Sequence, residues 1–513
     1  MIRLISIPQK NNIMKIPAVF ILRHLKIIIL LVIMVSNGWS QSTVATRVHE
    51  ATTLVYPPVR HAPLHKATAV HLFAFMALIG RTDVTPDDPQ GLAVTRLKST
   101  DDPKNRNDDD DLTVYGVNSG QNNIIFNSSM QSIDVYEGKG PKQKLKKPRG
   151  IACNSAGNVY VADTGNNRIV KLNNPGSYLT FVEAYGKKGS RPSEFDQPRG
   201  IALSTDGKIF VTDTGNDRIQ VFDKDMKLLY TMGDKNDSTG LSVSMVRPDG
   251  IAVVDPSDPD VFSKEEFIVV IDLNNTRIRK LTMDGRFLAG VNSTDYGYQQ
   301  VFLTAVATDF FSNIWVTDMF NHCVHKFDKN LNYITSFGSI GDGENQFFEP
   351  RGIAIGKRFG QVFITDKKSA QYYHIGTDLL NFTIAMQDSS LRFDFFLTEY
   401  SKLTAKIIDE NNKTVGLLCI NKTFPLGKNY IVWNRHFSPG LLSGIFPNEF
   451  LKRKLTTDPL AVNKHNPHSD LDSTTVQLPT LVKSGLYKIE IEAKTMYLYN
   501  RYFTKTIEVE FAF

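Results

Sequence analysis

The pattern of apolar and polar positions repeats along the middle of the chain. In Pro198 to Phe222, PRGIALSTDGKIFVTDTGNDRIQVF, short apolar runs alternate with polar turns. Pro198 fixes φ and Gly200 permits a tight approach ahead of Ile201-Ala202-Leu203, a short buried strand. Ser204-Thr205-Asp206-Gly207 reads as a hairpin in which Asp-Gly favours a primed turn. Ile209 to Thr212 is a second strand, Asp213 to Asp217 a polar loop, and Arg218 to Phe222 an alternating third strand. Lys227 to Met232 supplies a fourth, outer strand. Four short strands per unit make one blade of a β-propeller.

Five further copies follow the same pattern. Pro148-Arg149-Gly150-Ile151-Ala152 leads to Val159 to Ile169, and Pro248-Asp249-Gly250-Ile251-Ala252 leads to Val269 to Asp272 and Asn274 to Ile278. Pro350-Arg351-Gly352-Ile353-Ala354 leads to Val362 to Asp366. Leu303-Thr304-Ala305-Val306-Ala307, ahead of Ile314 to Asp318, has lost the proline and the glycine. The earliest copy, Pro89-Gln90-Gly91-Leu92-Ala93 followed by Val114 to Gly120, is worn. The spacing of roughly 50 residues lies in the propeller range. P-x-G-I-A followed by V-Y-V-A-D-T-G-N-N-R-I, as it stands at 148–152 and 159–169, resembles the NHL repeat family. That resemblance spans residues 68 to 385 and implies a six-bladed propeller, one blade per copy. It specifies fold alone, because propellers host unrelated functions.

The flanks read differently. In residues 1–40, Lys15, Arg23 and Lys26 precede the apolar run Ile27 to Val35, and Gly38-Trp39-Ser40 offers small residues for cleavage before Gln41. This is the pattern of a signal peptide, so the chain is expected to be exported, to an extracellular, cell-surface or periplasmic site, with no stable membrane span afterwards. Residues 41–67 are expected to form an extended linker and residues 68–387 the propeller. Residues 68–79, TAVHLFAFMALI, are expected to form a strand that completes the last blade and closes the ring, a place for which Leu379 to Ile384 competes. After about Asp388 the repeat stops, and Leu391 to Leu397, Leu403 to Ile408, Val415 to Leu418, Tyr430 to Trp433, Gly485 to Ile491 and Thr506 to Phe511 read as strands of a β-sandwich. Lys402 to Asp409, Gly427 to Trp433 and Ser484-Gly485-Leu486-Tyr487 resemble the Ig-like domain of the flagellar hook-capping protein, interrupted by an insertion near 437–482. The S-G-x-Y ending is shared with type IX secretion tails, so sorting is a second role open to this domain. The fold class expected is all-β: a six-bladed β-propeller followed by an Ig-like β-sandwich.

Composition alters this picture at two points. The net charge of +6 comes largely from the leader; removing its five basic residues leaves 54 basic against 53 acidic side chains, which gives no argument for nucleic acid. Cys153, Cys323 and Cys419 show no disulfide or zinc spacing and read as structural thiols.

Candidate chemistry gathers at one end of the propeller, where the x of each P-x-G and the D-T-G-N-N-R loop should meet. The six x positions are Gln90, Arg149, Arg199, Asp249, Thr304 and Arg351. Three converging arginines suit a carboxylate, phosphate or sulfated sugar; the competing reading pairs each with a neighbouring loop aspartate. The recurring Asp163, Asp213, Asp272, Asp318 and Asp366, with Arg168, Arg218 and Arg277, read as a framework anchoring each loop. The amidating-lyase relatives of the repeat family place zinc-ligand histidines at comparable P-x positions, and this chain has none there. His322 and His325, flanking Cys323-Val324, are expected on opposite strand faces, and His465 to Asp470 reads as a loop. No cofactor is expected, with calcium the candidate at the carboxylate clusters Asp101 to Asp111 and Asp255 to Asp260. The expectation is a non-enzymatic binding or scaffold protein for a protein, peptide or glycan partner; the alternative is a hydrolase or lyase at the channel mouth.

Overall fold

The computed structural model describes residues 51–57, 65–101, 112–129, 132–233, 244–387, 390–436, 481–497 and 503–512. The expected signal peptide at 1–40, Asp102 to Asp111, residues 437–480 of the insertion and with them His465 to Asp470 lie outside these. The fold is a propeller-type all-β ring followed by a β-sandwich. Six antiparallel sheets, sheets 1 to 6, begin at Pro89, Ile151, Pro198, Ile251, Leu303 and Gly352. Each innermost strand packs against that of the next sheet, and the innermost strand of sheet 6 packs against that of sheet 1.

The repeated P-x-G has a geometric cause. In sheet 3 the register slips between Pro198 and Ile201, so the strand bulges there, as it does at the same point of sheets 1 and 5. The bulge turns the carbonyl of residue x toward the preceding sheet. A Cβ on Gly150 would stand 2.1 Å from the Arg199 carbonyl oxygen, and one on Gly200 2.1 Å from that of Asp249. Only glycine lets neighbouring strands approach this closely. The residue ahead of each proline takes a left-handed φ: Asp88 49°, Lys147 44°, Gln197 52°, Arg247 47° and Glu349 58°. Its N–H donates to a loop side chain of the preceding sheet in four of these: Lys147 to Asn122, Gln197 to Asn167, Arg247 to Asp217 and Glu349 to His322.

At Asp206-Gly207, Gly207 alone takes a left-handed φ, 90°, and its N–H donates to the Ser204 carbonyl. The pair therefore closes an ordinary turn followed by a left-handed glycine, and the expected primed turn does not form; a primed Asp-Gly turn needs positive φ at both residues.

The N-terminal part closes the ring, through residues other than those expected. β1 (Leu54–Val55) and β2 (Lys66–Thr68) both pair with Ser369–Ile375, the outermost of the three strands that sheet 6 draws from its own repeat. Residues 54–55 and 66–67 are thus ladder strands within the span expected to be linker. Ala69–Leu78, expected as the closing strand, is a helix, α1. Its ten residues, AVHLFAFMAL, contain a single β-branched residue, and the ladder positions are already taken by β1 and β2. Thr68 caps it: the Thr68 N–H donates to His71 Nδ1 at 3.3 Å.

The sandwich begins earlier than expected. Leu379–Gln387 pairs with Ser390–Leu397, so residues 379–387 belong to the second domain and do not compete for the last blade. A three-stranded sheet (Leu379–Gln387, Ser390–Leu397, Gly427–Trp433) faces a four-stranded one (Thr414–Phe424, Ser401–Asp409, Leu486–Thr495, Thr504–Ala512). Phe393, Phe395, Leu403, Trp433, Tyr487 and Ile489 share the core between them. His436 pairs with Leu481, so the inserted segment leaves and re-enters at one point.

The two domains are tied by buried charge. Lys326 of sheet 5 donates to Glu399 Oε2 at 2.6 Å and to the Thr398 carbonyl at 2.7 Å. Asp309 accepts from Trp315 Nε1 at 2.8 Å beside them. Burial pushes the Glu399 carboxyl up to about 7, with Lys326 opposing and Asp309 adding to the rise. Asp378, where the sandwich starts, accepts hydrogen bonds from the Thr52 N–H and from the Thr52 and Thr53 hydroxyls, and so clasps the N-terminal segment to the far end of the ring.

Candidate functional site

All six x residues of the repeats line a single cavity of about 80 Å³ at the centre of the ring, walled by Ile151, Ile201 and Ile251. They arrive there because each x residue stands at the start of the innermost strand of its sheet, and those strands pack side by side around the ring. The frame behind them is a set of struts. Asp163, Asp213, Asp318 and Asp366 each accept a backbone N–H from the segment leading into their own sheet, as Lys146 to Asp163 at 2.7 Å and Asp196 to Asp213 at 2.8 Å. Arg168, Arg218 and Arg277 donate to Asp163, Asp213 and Asp272 at 2.7 to 2.8 Å. Thr164 and Thr214 tie across to the next sheet, donating to the Pro198 and Pro248 carbonyls at 2.6 and 2.7 Å.

Within the cavity the three arginines differ. Arg199 pairs with Asp249 at 2.8 Å, and Asp249 also accepts from Asn275 at 3.0 Å. Arg351 pairs with Asp88 and, at 2.9 Å, with Glu349. Gln90 donates to Asp88, and Thr304 is bonded to Thr317 and the Pro350 carbonyl. Arg149 has no such partner: among the described residues its guanidinium makes no hydrogen bond and no ion pair. Burial depresses its pKa, and Arg199 and Arg351 depress it further, against the opposing pull of Asp249 and Asp88. The Nε atoms of Arg199 and Arg351 are buried and likewise lack a partner among the described residues. Two of the three arginines are thus paired, Arg199 with the x residue Asp249 instead of a loop aspartate and Arg351 with Asp88 ahead of sheet 1, and Arg149 is not. Three guanidinium groups share this cavity with the carboxylate of Asp249, and Asp88 and Glu349 lie against Arg351.

Sequence reasoning missed Asp88 and Glu349. Their signal is the acidic residue immediately before the proline in Asp88-Pro89 and Glu349-Pro350, where the other copies have Lys147, Gln197 and Arg247.

The remaining candidates lie elsewhere. His322 takes a left-handed φ of 57° and accepts the Glu349 N–H at 3.0 Å, so it serves the frame. His325 is buried between Asp318 (3.1 Å) and Ser336 (2.7 Å), with Cys323 3.8 Å away. Asp318, Cys323 and His325 are close enough to hold a cation among the described residues. Gln220 and Gln371 make the same bond to Asp213 and Asp366 that His325 makes to Asp318, which is the behaviour of a strut. Burial raises the thiol pKa of Cys323, with Asp318 adding, to about 12, and that of Cys419 to about 11. The three cysteines are free. Asp255 accepts from Thr205 and Ser257, and Asp258 pairs with Lys357 at 2.9 Å.

Comparison with known proteins agrees on the repeat and the fold. The NHL repeat family matches residues 145–172 and 195–222, so the chain carries NHL repeats. No curated protein sequence matches the chain. Solved structures with a similar fold include a streptogramin B lyase (18% identity, 56% of this chain and 94% of that one, TM-score 0.38). A gluconolactonase from Xanthomonas campestris (12%, 56% and 85%, 0.38) and a luciferin-regenerating enzyme (11%, 56% and 91%, 0.38) are also among them. These proteins are enzymes by name, so the expectation of a non-enzymatic chain is withdrawn and an enzymatic function stays open. At these identities and TM-scores the likeness extends to fold and no further. No helix among the described residues is long and apolar enough to cross a membrane.

Proposed function

We propose that this is an exported protein whose propeller, with the six sheets as six blades, captures an anionic group at the mouth of its central channel. The group is a carboxylate, phosphate or sulfate borne by a protein, peptide or glycan, and the Ig-like sandwich acts as spacer or sorting element. The observation that carries this reading is the unpaired guanidinium of Arg149 beside two half-satisfied arginines. A desolvated cation beside like charges gains more from a bound anion than a surface arginine does, because part of its hydration is already lost and the anion relieves the repulsion. The cavity volume, about 80 Å³, corresponds to roughly two to three water molecules. That suits one anionic group and leaves the rest of the ligand outside on the face.

The test is titration of the mature chain with sulfate, phosphate, acetate and glucuronate by calorimetry at low ionic strength. Arg149→Ala should weaken the best of these at least tenfold, and Asp249→Asn, which frees Arg199, should strengthen it. Equal affinity in Arg149→Ala and the parent protein would sink the proposal.

A further inference from the structure

The interface between sheets 6 and 1 is hollow. Among the described residues its buried apolar cluster is Leu112, Phe363 and Tyr372, with Leu92, Val94 and Val114 partly buried against it. Beside that cluster lies a cavity of about 270 Å³, roofed by α1 through Leu72 and walled by Leu92, Val114, Phe126 and Ile133 of sheet 1. The other interfaces between neighbouring sheets are filled by clusters of ten to sixteen buried apolar residues. A gap of this size at one interface of a repeating structure calls for an occupant, because protein interiors otherwise pack to crystal density.

We propose that this cavity is a binding site for a neutral apolar group, of the kind presented by a medium-length acyl chain. Size sets the length: an apolar cavity of about 150 Å³ takes benzene, so this one takes roughly ten carbon atoms. Chemistry sets the neutrality. The polar side chains on the wall are already engaged: Asp366 accepts the Ser369 N–H at 2.6 Å, Gln371 donates to the Gln346 carbonyl at 2.8 Å, and Asn118 donates to Asn123 at 2.9 Å. The His65 ring lies on Tyr56, centroids 3.9 Å apart, and burial favours its neutral form. The site is distinct from the channel mouth, with which it shares Leu92 as a wall, and none of the three arginines lines it.

Gly116 makes the site testable. It lines the cavity, its backbone does not have a positive φ, and a Cβ there would meet Leu92 and the Ile125 carbonyl at 3.5 and 3.6 Å, ordinary contacts. Gly116→Val therefore fills the cavity from one wall, and Ala67→Leu fills it from β2. The probe is N-phenyl-1-naphthylamine, neutral and fluorescent when sheltered, displaced by straight-chain alcohols of six to fourteen carbons. The expected result is one saturable site with an optimum near ten carbons, weakened at least tenfold in either variant, both melting no lower than the parent. No saturable binding, or displacement that rises with chain length without an optimum, overturns the proposal. So does full probe binding in a folded variant, which would place the probe on the exposed face of α1.

Discussion

Among the described residues, ten or more buried apolar side chains fill each of five interfaces between neighbouring sheets, while three lie at the interface where sheet 6 meets sheet 1. The filled interfaces join units that follow one another in the chain, each supplying the same alternating strands to its neighbour. At the hollow one, the last repeat meets the worn first repeat, and the segments at its rim, β2 and α1, lie outside the repeat. Regular packing in this ring therefore follows from repetition of sequence, and where repetition fails the gap is bridged by backbone pairing and a helix instead of by side chains.

The largest expected effect tests the packing itself. Phe210, fully buried between sheets 3 and 4, should cost about 3 to 5 kcal/mol when changed to Ala. Phe363, stacked on Tyr372 at 4.7 Å beside the cavity, should cost about 1 to 2 kcal/mol, because its neighbours are already short of partners. Equal losses in urea titrations would break the comparison. Next, Asp378→Ala removes the acceptor of the Thr52 and Thr53 hydrogen bonds and should cost about 2 to 3 kcal/mol. Limited proteolysis should then cut first in the N-terminal segment and not between sheets 2 and 5.

A third effect concerns the charge that joins the ring to the sandwich. The folded Glu399 carboxyl holds its proton up to about pH 7, whereas its ordinary value is 4.5. Across that window the native state binds more protons than the unfolded state, so Glu399 makes stability fall as pH rises from about 4.5 to 7. Glu399→Gln should flatten that part of the pH–stability curve, measured by thermal melts; an unaltered slope would assign it to other groups. The smallest effect is Gly116→Val, which should stabilise by about 0.5 to 1 kcal/mol by filling empty space.

The repeat was legible because a physical demand recurs: a glycine wherever a bulged strand meets the next sheet's carbonyl, and an aspartate wherever a loop must be pinned. The six x residues followed from that regularity, and the structure brings all six together. Other features lack such a mark. Lys326 and Glu399 are 73 residues apart and each looks like an ordinary strand or turn residue, so their pairing appears only once the domains touch. α1 is apolar on every side, with Val70, Phe73 and Leu78 exposed, and gives no period by which to tell helix from strand. The state of Arg149 depends on which neighbours its two fellow arginines have already claimed. The hollow interface is a deficit spread over two sheets, and no single residue records it.

The clasp at Asp378 sets an order on the life of the chain. Thr52 and Asp378 are 326 residues apart, so no nascent chain that stops short of Asp378 can form it. At about 5 to 20 residues per second, the ribosome takes roughly twenty seconds to a minute to cover that distance. Throughout that time the strand that will carry β1 and β2 either does not yet exist or has an open edge. On the export proposed above, the delay has a use, since a ring that cannot lock before Asp378 is made stays loose enough to be threaded through a narrow passage. Truncated products, lacking the residue that completes the lock, remain open to proteolysis.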